Sequence, residues 1–133
     1  MPWVYPHDTG SYRALLAAVD HDAVGVHFDP VNMVTSPERY YDTAALVREF
    51  VAELGDRIEV VHLKDVTLAD ELTVHLDEVR PGAGGLDYHV LLSALSDLDD
   101  DLPLLLEHLD SEAADAAARE YVREVASEVG VTV

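Results

Sequence analysis

Short apolar runs alternate along the chain with longer stretches in which apolar positions recur every three or four residues. That is the pattern of βα units feeding a parallel sheet. An opening helix is predicted over residues 11–19 (SYRALLAAV), with Ser11 as its N-cap. Residues 24–28 (VGVHF) form a nearly uniformly apolar run, as a strand buried on both faces requires. Ser36 and Pro37 then signal a helix start, and Leu46, Val47, Phe50, Val51 and Leu54 share one face until Gly55. Ile58–Leu63 (IEVVHL) reads as a second strand, and residues 64–86, with PGAGG at 81–85, as a long loop. Asp87 caps a third helix with Val90, Leu91 and Leu95 inward. Residues 102–106 (LPLLL) form a third strand, with Pro103 near its start, where a missing N–H costs least. Ser111 opens an alanine-rich helix carrying Tyr121, Val125 and Val129, ended by Gly130.

The expected fold class is therefore α/β: a helix, then three successive βα units with parallel strands near 24–29, 58–63 and 102–107, in one domain over residues 1–133. No linker or low-complexity tract interrupts it. The length suffices for one core but falls short of the ~250 residues of a closed eight-stranded α/β barrel. Three such strands would leave both sheet edges open with few polar residues to protect them. Further upstream sequence, a complementing chain or self-association as a homo-oligomer is expected to cover them.

Composition narrows the function classes. Hydrophobic residues make up 49% and mean hydropathy is +0.04, values of a globular chain. No apolar run approaches the ~18 residues of a membrane span, and MPWVYPHDTG lacks the pattern of a secretory signal. There is no cysteine, which excludes disulfides, thiolate nucleophiles and Cys-ligated zinc and fits a cytoplasmic protein. Asp and Glu number 27 against 8 Lys and Arg, a net charge of −19. Such a chain repels phosphate backbones and anionic lipids, so neither nucleic acid nor membrane is expected as a partner. The acids are dispersed rather than gathered in a tail, and Lys64 is the only lysine. A dispersed acidic surface of this kind predicts adaptation to high salt, where screening removes self-repulsion.

In parallel α/β folds chemistry collects at the carboxyl ends of strands. Here the first strand ends on Asp29, the second on His62 followed by Lys64 and Asp65, and the third on Glu107 followed by His108. A carboxylate, an imidazole and a carboxylate on three successive strand ends suit a divalent ion such as Mn, Mg, Co or Zn. Each also has a plain structural reading. Asp29-Pro30 can end a strand and start a turn, His62 can sit satisfied in the core, and Glu107 can cap the following helix. Lys64 and Asp65 can form a surface ion pair worth little. His27, His75, His89 and His108 read as structural or surface histidines, and PGAGG as a plain loop rather than a phosphate cradle.

The succession GVHFDPVNM, SPERYYD, VHLKD, HLDEV, PGAGGLDY and PLLLEHL resembles the C-terminal part of xylose-isomerase-like TIM-barrel proteins, the sugar phosphate isomerase/epimerase superfamily that includes the endonuclease IV branch. The resemblance runs from about Pro2-Trp3 to Gly130. It implies a metal held by Glu, Asp, His and Glu at the ends of the last four barrel strands. Asp29, His62 and Glu107 match the last three. The first Glu has no counterpart, so barrel strands one to five are expected to be absent.

The implied function is divalent-metal-dependent isomerisation or epimerisation of a small sugar or polyol, sugar phosphates included, by enediolate-type proton transfer. Glu107 would be one of the proton-shuttling carboxylates. Lys64 would stabilise an oxyanion or phosphate, Glu78 would join the metal shell or contact substrate hydroxyls, and Asn32 would hydrogen-bond a sugar oxygen. Asn32 stands where several relatives carry the His of an Asp-x-x-His arrangement, which counts against the epimerase and nuclease branches. Two other readings remain: phosphodiester cleavage, disfavoured by the charge of −19, and a truncated or split-gene remnant or subunit, inactive alone. The charge pattern predicts that the melting temperature rises as KCl is added. A melting temperature that stays flat or falls would overturn the salt-adapted reading.

Overall fold

The computed structural model describes residues 5–99 and 101–133; Pro2 and Trp3, where the resemblance begins, lie outside them. Helix α1 (Thr9–Val19) is followed by strand β1 (Val26–Phe28), helices α2 (Pro37–Tyr41) and α3 (Thr43–Leu54), and strand β2 (Ile58–Leu63). A hairpin of β3 (Asp65–Leu68) and β4 (Leu76–Val79) comes next, then α4 (Tyr88–Leu95), β5 (Leu104–Leu106) and α5 (Glu112–Val129). The three-stranded sheet has the order β1-β2-β5 and is parallel throughout.

Strand register decides which residues share a face. His27 lies opposite Val60, Phe28 opposite Val61, His62 opposite Leu105 and Leu63 opposite Leu106. Side chains alternate across a strand. Phe28, Val61 and Leu63 therefore point to the helical layer, where they are fully or almost fully buried with Val47, Phe50, Leu91, Leu92 and Val125. Phe28 and Phe50 stack with ring centroids 4.3 Å apart. Each such side chain contributes roughly 1.5–3 kcal/mol through burial. The opposite face carries His27, His62 and Leu105, and Leu105 is 47% exposed. Beyond the short β5 ladder, Pro103 O accepts from Val61 N and Glu107 N donates to Leu63 O, each at 3.0 Å, which ties Glu107 to the sheet.

Several boundaries depart from the sequence pattern. Helix α1 is capped by Asp8, not Ser11. Asp8 accepts from Ser11 N at 2.8 Å while Ser11 Oγ accepts from Asp8 N at 3.0 Å, so Ser11 is the reciprocal member of a capping box. The helix opened by Ser36 breaks at Asp42, whose carboxylate accepts from Ala45 N and starts α3 afresh. In α4 the buried positions are Tyr88, Leu91, Leu92 and Leu95, with Val90 only half-buried. In α5 they are Ala118, Val122, Val125 and Ala126, with Tyr121 and Val129 half-buried. Asp87, Ser111 and Gly130 cap as expected, Gly130 at φ +76°.

The stretch expected as a long loop holds the antiparallel hairpin, which pairs Asp65 with Val79 and Val66 with Glu78. The glycine-rich segment after it wraps a buried charge. Asp65 is 1% exposed, and its carboxylate accepts backbone N–H groups from Val66, Gly82, Gly84 and Leu86 at 2.8 to 3.1 Å. Burial pushes this carboxyl up, and the four amides pull against it without cancelling the effect. Gly82 sits at φ +79° against the Tyr121 ring, and a Cβ on Gly84 would collide with the Val66 backbone. Removing the acceptor leaves buried donors unpaired, so Asp65→Ala should cost about 3 kcal/mol or more in urea denaturation. A loss below about 1 kcal/mol would show that the loop does not depend on Asp65.

Candidate metal centre

Strand alternation places Asp29, His62, Lys64 and Glu107 at the carboxyl ends of β1, β2 and β5, in phase with the exposed face rather than the helical one. One ligand atom from each of Asp29, His62 and Glu107 lies within 4.8 Å of the others. His62 Nδ1 is 2.9 Å from Glu107 Oε1 and 3.9 Å from Asp29 Oδ2. His27 packs edge-on against His62 with centroids 3.8 Å apart, which limits rotation of the ligand ring.

Lys64 stands in the middle of the charges. It is 4% exposed, and its Nζ lies 3.0 Å from Asp29 Oδ2, 2.9 Å from Glu78 Oε1, 3.4 Å from Glu107 Oε2 and 3.2 Å from Asn32 Oδ1. Burial pushes the ammonium down, but the hydrogen bond with Glu78 and the charge of Asp29 outweigh it and hold Lys64 above the usual lysine range. Glu78 mirrors this. Burial pushes it up, yet Lys64 and then His108 hold it below the usual carboxylate range. Tyr88 donates its hydroxyl to Lys64 O at 2.9 Å, and burial raises that phenol well above its ordinary range. The backbone of the lysine is thereby pinned from the helical side.

Asn32 follows Asp29 in a 3-10 turn (Val31–Met33). Its N–H donates to Asp29 Oδ1 at 3.1 Å, and its Nδ2 to Asp29 Oδ2 at 2.7 Å. Glu78 lies on β4, not in a loop, and its other oxygen is 2.7 Å from His108 Nε2. His108, directly after Glu107, takes a left-handed conformation at φ 56°. A cavity of about 890 Å³ opens beside the cluster, lined by Asn32, Thr35, Lys64, His75, Glu78 and His108 among others.

All six residues singled out from the sequence, Asp29, Asn32, His62, Lys64, Glu78 and Glu107, thus converge. Lys64 and Asp65 do not form a surface ion pair, because both are buried and they turn to different partners. His27 and His108, read as structural or surface residues, border the site; only their neighbours at positions 29 and 107 hinted at it. His89 pairs with Glu128 at the surface, away from the cluster.

The donor set fits a divalent ion. It offers one imidazole and two carboxylates, the mixture suited to Mg, Mn, Co or Zn. His62 and Glu107 stand 2.9 Å apart, His62 and Asp29 3.9 Å, and all three ligand atoms lie within 4.8 Å, near enough to converge on one ion. Both carboxylate oxygens of Asp29 are already oriented by Asn32, as those of ligating carboxylates commonly are.

Comparison with known proteins defines the class. The profile of the xylose isomerase-like TIM barrel family matches residues 1–126, and the chain belongs to that family. A xylose isomerase domain protein from Planctomyces limnophilus is similar, with a TM-score of 0.72 at 20% identity over 96% of this chain and 44% of that one. A xylose isomerase-like TIM barrel protein from Mycobacterium smegmatis, solved in complex with magnesium, has a TM-score of 0.66 at 22% identity, over 92% of this chain and 40% of that one. No curated protein matches. The chain spans less than half the length of either solved relative, and its α/β fold is that of a portion of a TIM barrel. Among the described residues no helix is long and apolar enough to cross a membrane.

Proposed function

We propose that this chain carries the metal-binding end of a divalent-metal-dependent isomerase or epimerase that moves a proton between adjacent carbons of a small sugar, sugar phosphate or polyol. The observation that carries the reading is the convergence of Asp29, His62 and Glu107 within 4.8 Å at the ends of three adjacent parallel strands. The magnesium in the Mycobacterium smegmatis relative supports a hard divalent ion as the natural occupant, with Mn, Co and Zn suited to the same donors.

Asp29, His62 and Glu107 would hold the ion. When bound, it supplies Lewis-acid polarisation of a substrate carbonyl. Glu107 presents one oxygen to His62 and the other towards Lys64, and that second oxygen is the one assigned to accept and return a proton. Lys64, cationic and desolvated, stabilises negative charge that develops on a substrate oxygen. Asn32 and Glu78 border the cavity and offer an amide and a carboxylate to sugar hydroxyls. The charge of −19 argues against a phosphodiester backbone as substrate. The absence of cysteine fits a cytoplasmic setting, and the acidic surface fits high salt.

A second reading makes this chain one part of a two-part enzyme, working with a complementing chain or a second copy. It is compatible with the share of the two solved relatives that this chain covers, 44% and 40%.

The test is proton exchange followed by NMR in D₂O, with aldoses and ketoses offered to the metal-loaded protein in high KCl. Deuterium should enter at the carbon beside the carbonyl, and Glu107→Gln should slow it by about 10²-fold or more. Exchange that proceeds equally well in Glu107→Gln would contradict the assignment.

A further inference from the structure

Lys64 contacts two of the carboxylates that a metal ion would need, Asp29 and Glu107. Its ammonium has three protons to donate, yet four acceptors surround it: Asp29, Glu78, Glu107 and Asn32, all within 3.4 Å. Two of the four, Asp29 and Glu107, belong to the metal trio. The other two do not. An ammonium 3.0 Å from a carboxylate oxygen that also binds a dication would face strong repulsion at short range in a partly desolvated site. Glu78 and Asn32 provide a place for it that avoids the conflict. Glu78 is held in position by the β3–β4 hairpin and by His108 at 2.7 Å, so that place is built before it is needed.

We propose that Lys64 is a built-in competitor for the metal ion, and that metal binding moves its ammonium off Asp29 and Glu107 onto Glu78 and Asn32. The proposal rests on the metal reading above and assigns its regulation: the lysine sets how tightly the site holds its ion, and Glu78 sets how readily the lysine yields. The β3–β4 hairpin thereby becomes the element that registers whether a metal is bound. A carboxylate on an exposed hairpin position can take up a relocated cation with little disturbance to the sheet, whereas the strand-end ligands cannot move without it.

The test titrates Mn²⁺ or Mg²⁺ into chelator-stripped full-length protein by calorimetry, with circular dichroism to confirm folding. Lys64→Gln should bind at least about tenfold more tightly than wild type, because a positive charge beside the ion is gone. Glu78→Gln should bind more weakly than wild type, and that loss should vanish in the Lys64→Gln background. The wild-type protein supplies a second readout, since Lys64 is the only lysine. Amine-directed chemical labelling followed by mass spectrometry should modify Lys64 several-fold faster with Mg²⁺ bound, with the amino terminus as internal reference.

Metal binding by Lys64→Gln where wild type binds none would support the competition outright. Wild-type binding with Lys64→Gln unchanged or weaker, or labelling unchanged or slowed by metal, overturns this inference while leaving the metal reading intact. Absence of binding in both proteins overturns the two together.

Discussion

Two charges of opposite sign are buried side by side at the end of β2, and neither neutralises the other. Lys64 and Asp65 are 4% and 1% exposed. Burying an ion costs several kcal/mol unless close partners replace its water. Because successive residues of an extended chain point to opposite sides, each of these two had to find a separate solution. Lys64 finds three carboxylates and an amide oxygen. Asp65 finds four backbone N–H groups donated by residues 66 to 86. The first solution draws β1, the hairpin and β5 together around one cation. The second fixes the glycine-rich turn, from which Asp87 starts α4 and its four buried residues enter the core. Site and scaffold are thus joined at a dipeptide.

The strands and most helix starts were legible because their signals are local. A run such as IEVVHL, or Ser-Pro before an amphipathic stretch, needs nothing from elsewhere in the chain. Asp8 outranked Ser11 as a cap for an equally local reason that the pattern alone left open: either residue can lead a capping box, and only the backbone shows which N–H is orphaned. The hairpin was harder. DVTL and HLDEV alternate weakly, and the seven residues between the strands contain no glycine to announce a turn. The role of PGAGG was not readable at all, since it depends on a carboxylate sixteen residues upstream of Pro81.

The site divides in the same way. Asp29, His62 and Glu107 were visible because each terminates a strand, and parallel strands bring their carboxyl ends together by construction. Their partners are products of tertiary structure. Glu78 reaches Lys64 only through the hairpin, and His108 reaches Glu78 only because its backbone turns left-handed after Glu107. Relatives at 20% and 22% identity establish the barrel architecture, and the chemistry assigned to this chain rests on its own donor atoms. The acidic surface works in the same direction as the site. A net charge of −19 raises the local concentration of cations around the protein.

The central claim is that Asp29, His62 and Glu107 form one metal site. Anomalous scattering from crystals grown with Mn²⁺ addresses it directly. The account predicts a single strong anomalous peak bonded to a carboxylate oxygen of Asp29, a ring nitrogen of His62 and a carboxylate oxygen of Glu107. A peak elsewhere on the acidic surface, with His62 still paired to Glu107 and none between the three residues, would contradict it.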